Sequence, residues 1–269
     1  MSTLPLTYLE RPAQLAAGQP AWLLVLMHGV GSNEQDLFGL VPYVPPQFHV
    51  LSLRAPFAMG MGAYAWFQFT VDADGTRHIN VPQEQQARIL LQQTVEQAAQ
   101  QLDIPPERVV LGGFSQGGIM SLSQLLTQPQ TLRAALVWHS RLLPEIASLH
   151  APAAAFEGKS AWVSHGTYDN VIPLTSAHAV RDRLASLPLQ LSYHEYPGAH
   201  EIRPEELRVP VRSLSQTLAG NLAGVVALQT SGEPGKDDAQ EASDWLIDRL
   251  SRLAPALNVE TSIDAAGGG

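Results

Sequence analysis

Gly113-Phe114-Ser115-Gln116-Gly117 places one serine midway between two glycines. The apolar run RVVLGG, Arg108 to Gly113, precedes it, and a helix is expected after it. A G-x-S-x-G segment between a buried strand and a helix suits a nucleophilic serine. The strained turn lifts Oγ clear of the backbone, and side chains two residues either side would make strand and helix collide. The N–H of Gln116 then points where an oxyanion would develop, helped by the helix dipole. Without those flanks the pattern arises by chance, so its context carries the argument.

A serine hydroxyl needs a base, and the base needs a carboxylate to fix its tautomer. For this turn the expected chain order is Ser, Asp or Glu, His. Downstream stand His139, His150, His165, His178, His194 and His200. His178 falls in an expected helix. His139, His165 and His194 fall in or at the ends of expected strands, where packing explains them. His200 follows YPGA, just after a strand, where open α/β sheets build their sites. Asp169, in the loop SHGTYDNVIP, is the best acid, although turns also favour aspartate. Asp182 and Glu195 sit on a helix and a strand. A second oxyanion donor is expected from LMHGVGSNEQDL, with Val30 as the candidate and His28 ordering the loop.

These residues need a sheet to hold them. AWLLVLM (Ala21 to Met27), FHVLSL (Phe48 to Leu53), RVVLGG, RAALVW (Arg133 to Trp138), SAWVSH (Ser160 to His165) and LQLSYHEY (Leu189 to Tyr196) read as strands buried on both faces. Helices are expected over Gln83 to Leu102, after Pro82, with Ile89, Leu90, Val95, Ala98 and Leu102 near one stripe, and over Leu174 to Leu187 and Ala242 to Leu253. The alternation implies an α/β fold, a mostly parallel sheet with helices on both faces. Leu214, Leu218, Leu222 and Val225 recur at helical spacing, and QTSGEPGKDDAQ after them reads as a mobile loop. The tail from Asn258 is expected to fray.

The 269 residues are enough for one large domain. A formal net charge of −9 argues against nucleic acid and anionic membrane surfaces. The absence of cysteine excludes disulfides and thiolate chemistry and fits a reducing cytoplasm. No apolar run is long enough to span a bilayer, and no secretory signal is visible. No H-E-x-x-H spacing appears, so no metal is expected.

Taken together, LMHGVGSNEQDL, AYAWFQF, GGFSQGG, HGTYDNVIP and GAHEI resemble the phospholipase/carboxylesterase family, which includes the acyl-protein thioesterases. The resemblance covers about residues 20 to 208 and resumes at SDWLIDRL. It implies the α/β-hydrolase fold and hydrolysis of esters and thioesters through an acyl-enzyme, without a cofactor. Carried over by position, the nucleophile falls on Ser115, the acid on Asp169, the base on His200, and the oxyanion donors on Val30 and Gln116.

Two departures stand out. About thirty extra residues, roughly 209–242, intervene before the expected last helix, as a lid or as a surface helix and loop in an otherwise single domain ending near residue 257. VWHSRLLPE replaces an open SG-x-LP turn, so His139 and Arg141 are expected to alter the pocket floor. Met59, Met61, Trp66 and Phe67 in PFAMGMGAYAWF are candidates for an acyl site for short or medium chains. Core packing is the competing explanation, strongest for Trp66 and Phe67. Lysophospholipids, small esters and acylated proteins all fit as substrates, and a homodimer through an apolar face is open. The alternatives are an acyltransferase or peptidase on this fold, or a non-catalytic binding module.

Overall fold

Strands that are apolar at every position must bury both faces, and that requirement organises the chain. The computed structural model describes residues 3–74, 76–203 and 206. The chain enters through β1 (Tyr8–Arg11), β2 (Trp22–Met27) and β3 (Phe48–Leu53). Two hairpins follow, β4 (Phe57–Gly60) with β5 (Ala63–Ala65) and β6 (Phe69–Val71) with β7 (Arg77–Ile79). Then come β8 (Val109–Phe114), β9 (Ala134–Trp138), β10 (Ser160–Gly166) and β11 (Gln190–Tyr196). A seven-stranded sheet runs β1-β3-β2-β8-β9-β10-β11, with only β1 antiparallel. The helices are α1 (Gln35–Phe38), α2 (Val81–Gln101), α3 (Gln116–Thr127) and α4 (Leu174–Ala185).

Side chains alternate across the sheet with the period of two that a strand imposes. Leu23, Val25 and Met27 join Val109, Leu111, Val137 and Val163 in the core shared with α2, α3 and α4. Trp22, Leu24 and Leu26 join Val110, Leu136, Trp138 and Trp162 on the opposite face, with Leu37 of α1. Fully burying one such side chain stabilises by about 1.5–3 kcal/mol.

The expected strand boundaries hold to within a residue or two, but β11 at the sheet edge is only partly buried and not covered on both faces. The helix over Gln83 to Leu102 starts earlier, at Val81, because Asn80 caps it by accepting the Gln83 N–H at 3.2 Å, which puts Pro82 inside the first turn. Of its expected stripe, Val95 and Ala98 are buried and Leu90 and Leu102 pack against the core, but Ile89 is 43% exposed. The buried face continues through Ala87 and Leu91 instead, and the small Ala87 lets the helix approach closely. The segment expected to be a helix over Ala242 to Leu253, the insertion at 209–242 and the tail from Asn258 lie outside the described residues.

Candidate active site

Ser115 is the single residue between β8 and α3. Its φ of 54° and ψ of −116° are a strained choice for a residue with a Cβ. The strain is held by three bonds. Ser115 N–H donates to Trp138 O at 2.9 Å, and Ser115 O accepts from Ile119 N–H at 3.0 Å and from Ser140 Oγ at 2.7 Å. The flanking glycines are required by space. A Cβ on Gly113 would fall 2.1 Å from Gly117 O, and one on Gly117 would fall 2.0 Å from Met27 O.

His200, four residues past β11, meets this serine, with Nε2 2.8 Å from Ser115 Oγ. Its Nδ1 lies 2.7 Å from Asp169 Oδ2, so Nδ1 donates and Nε2 is the free base. Asp169 follows β10 in a tight loop. Its Oδ1 accepts the Val171 and Ile172 N–H groups, each at 2.8 Å. Burial alone would raise the Asp169 pKa, but the His200 bond and those two N–H groups outweigh it and hold the group below the usual carboxylate value. The carboxylate side chain has no exposed surface, whereas that of His200 keeps 15%, so the chain opens outward at the imidazole.

The loop after β2 passes beside Ser115. A Cβ on Gly29 would come within 3.4 Å of Ser115 Cβ. His28 orders it from inside, with Nδ1 donating to Gly29 O at 2.7 Å and Nε2 accepting the Ala55 N–H at 3.1 Å. Burial lowers the His28 pKa and favours this neutral, one-donor form. Glu34, in the same loop, takes a two-pronged bond from Arg54, which holds its pKa below the ordinary value. Val30 lies next to Gly31, whose φ of 85° turns the chain and whose N–H donates to Tyr64 O at 2.9 Å. Gln116 heads α3, where no carbonyl of its own helix accepts its N–H.

The four acyl-site candidates separate. Trp66 and Phe67 are 0% and 1% exposed, so they belong to the core and not to a pocket wall. Gln116 fixes them there: Trp66 N–H donates to its Oε1 at 2.7 Å, and its Nε2 donates to Phe67 O at 2.6 Å. Met59 and Met61 are 51% and 107% exposed, in the β4–β5 hairpin.

His139 also departs from its expected place. It is fully buried behind the acid and does not line a pocket floor. Its Nδ1 is 3.2 Å from Asp169 Oδ2, and its Nε2 is 3.2 Å from Glu206 Oε1 and Oε2. Arg141 is half-buried and donates to Leu142 O. The Glu206 contact was invisible in sequence, since nothing in the spacing joins positions 139 and 206. His139, Asp169 and His200 could each offer one ligand atom within 4.8 Å. Those atoms face one another as imidazole donors on a carboxylate, which is the pattern of a hydrogen-bonded chain.

A mostly parallel sheet with a strained serine on the strand-to-helix turn after β8 has the architecture of an α/β-hydrolase. The family model described as Phospholipase/Carboxylesterase matches residues 14–218. Acyl-protein thioesterase 1 of Gibberella zeae is 29% identical over 216 residues, covering 71% of this chain and 88% of the relative. Among solved structures, esterase PE8 has a TM-score of 0.68 at 24% identity, covering 79% of this chain and 99% of that one. The Bacillus cereus carboxylesterase has a TM-score of 0.67 at 19% identity, covering 79% and 94%. The chain belongs to the phospholipase/carboxylesterase family.

Proposed function

We propose that the protein hydrolyses carboxylic esters and thioesters of short to medium acyl chain, with Ser115 as nucleophile, His200 as base and Asp169 as the acid that orients it. The observation that carries this reading is the unbroken chain from Ser115 Oγ to His200 Nε2 at 2.8 Å and from His200 Nδ1 to Asp169 Oδ2 at 2.7 Å. His200 takes the Oγ proton as the oxygen attacks the acyl carbonyl, and the N–H groups of Val30 and Gln116 receive the negative charge. His200 then protonates the leaving alcohol or thiol. Water enters on the acyl-enzyme, gives its proton to His200, and Ser115 leaves with that proton.

Met59 and Met61 form an apolar lip for the acyl chain. Their hairpin is tied to the Val30 loop by Gly31 N–H to Tyr64 O and Tyr64 N–H to Ser32 O, each at 2.9 Å, and by Asn33 Nδ2 to Gly62 O at 3.1 Å. Among the described residues no helix is long and apolar enough to cross a membrane. The absence of cysteine supports work in the cytoplasm.

The test is hydrolysis of p-nitrophenyl butyrate by wild type and Ser115→Ala, with the fold of both checked by circular dichroism. A fall of about 10⁴-fold or more in kcat in a folded variant is expected. Undiminished turnover by that variant would overturn the reading.

A further inference from the structure

Asp169 has more company than one base requires. Oδ2 faces three imidazoles: His200 Nδ1 at 2.7 Å, His139 Nδ1 at 3.2 Å and His165 Nε2 at 3.4 Å. His165 points its other nitrogen, Nδ1, away from any partner among the described residues. Its Nε2 donates to Ile172 O at 2.8 Å, and burial lowers the His165 pKa and favours the neutral ring. His139 differs, because both of its nitrogens face carboxylates and carboxylate oxygens only accept. Beyond it, Glu206 is fully buried and takes two further donors, Ser164 Oγ–H at 2.5 Å and Arg203 N–H at 3.0 Å. His139 also holds a φ of 50°, which is strained for a residue with a Cβ. Strain of this kind persists where the surroundings over-determine the residue.

We propose that His139 is a positioning residue for the acid: anchored by Glu206 through Nε2–H, it donates Nδ1–H to Asp169 and sets the charge against which His200 works. The inference rests on the reading of Ser115, His200 and Asp169 as the catalytic chain. Donation from both nitrogens makes the ring a cation between two buried carboxylates. Without it, Asp169 and Glu206 would be like charges with no cation between them, which is costly in the interior. The bond to Asp169 wins over the alternative, acceptance of the Gly166 N–H at 3.4 Å, because the alternative turns a lone pair towards Asp169.

The groups facing His139 are Asp169 and His165 from β10 and its loop, His200 from the loop after β11, and Glu206. Its ring lies 5.8 Å from that of His200, centroid to centroid. Removing that cation, or the Glu206 charge that anchors it, changes the field at the base in opposite senses, so the two substitutions should move the acid limb of the rate profile in opposite directions.

The experiment is the rate of Ser115 labelling by a fluorophosphonate across pH, in wild type, His139→Gln and Glu206→Gln. The acid limb should move up by about one pH unit in His139→Gln and down by less in Glu206→Gln. With p-nitrophenyl butyrate, kcat should fall in both while KM holds, because neither residue touches the acyl group. Folded variants that label with the wild-type profile would overturn the role and leave the catalytic chain standing. Wild type that does not label at Ser115 would overturn the catalytic chain itself. A readout independent of variant folding is the histidine ¹⁵N spectrum of wild type at neutral pH. One imidazole should show two ring N–H protons protected from solvent exchange, and its absence would contradict the proposal.

Discussion

At the residue scale, Gln116 joins the Ser115 turn to the hairpins. Its backbone N–H is proposed to stabilise the oxyanion, while its side chain satisfies both Trp66 N–H and Phe67 C=O. Each buried polar group left unpaired costs about 1–3 kcal/mol. Gln116→Ala strands both and leaves the backbone donor intact. The expected result is a lower melting temperature, with kcat reduced about tenfold and not by the 10²–10³ of a lost oxyanion donor. Thermal melts and ester kinetics check this, and an unchanged melting temperature would contradict it. The residues with a fixed chemical order along the chain, Ser115, Asp169 and His200, were legible in sequence because each demands a particular local setting. His139 was not. Its partners come from β10's loop and from position 206, and only the closed sheet brings them together.

At the element scale, the central strands were legible because a strand buried on both faces is largely apolar, whereas the edge strand β1 was not foreseen. The hairpins β4–β5 and β6–β7 were not. PFAMGMGAYAWF has no clean alternation, and its turn depends on three successive positive φ values at Gly60, Met61 and Gly62. The same stretch divides by exposure, with the methionines outside and Trp66 and Phe67 inside, a distinction set by Gln116 and not by composition. α2 was found with most of its buried face, but Ile89 lies outside that face, which runs on through Ala87 and also carries Glu84, paired with Arg88 at 3.0 Å. The tight crossing of β8 and α3 follows from Gly113 and Gly117, where any Cβ would strike backbone.

At the scale of the whole molecule, the described sheet places every candidate group at the carboxyl ends of its parallel strands. Ser115 follows β8, His139 follows β9, Asp169 follows β10 and His200 follows β11. The cost of packing histidines there and in the core is a pH-dependent stability. Burial lowers the pKa values of His28, His49, His150, His165 and His194 from their ordinary 6.5. Below pH 6.5 the unfolded chain therefore binds protons that the native state refuses, and stability falls as pH falls. Asp169, like Glu34 and Glu195, has a depressed carboxylate pKa, so its contribution is present above 3.8 and is lost as pH falls below that. Urea melts from pH 8 to pH 3 should show a first decline beginning near 6.5 and a further one in strong acid. A midpoint that stays constant from pH 6.5 down to 5 would contradict the histidine account.

The most direct test of the central claim is to trap the covalent intermediate. Wild-type protein is mixed with p-nitrophenyl butyrate, quenched in acid within the first turnovers and analysed by intact and peptide mass spectrometry. The account predicts one butyryl group per chain, on Ser115, which disappears as the substrate is exhausted. Turnover with the butyryl group on another residue would contradict it.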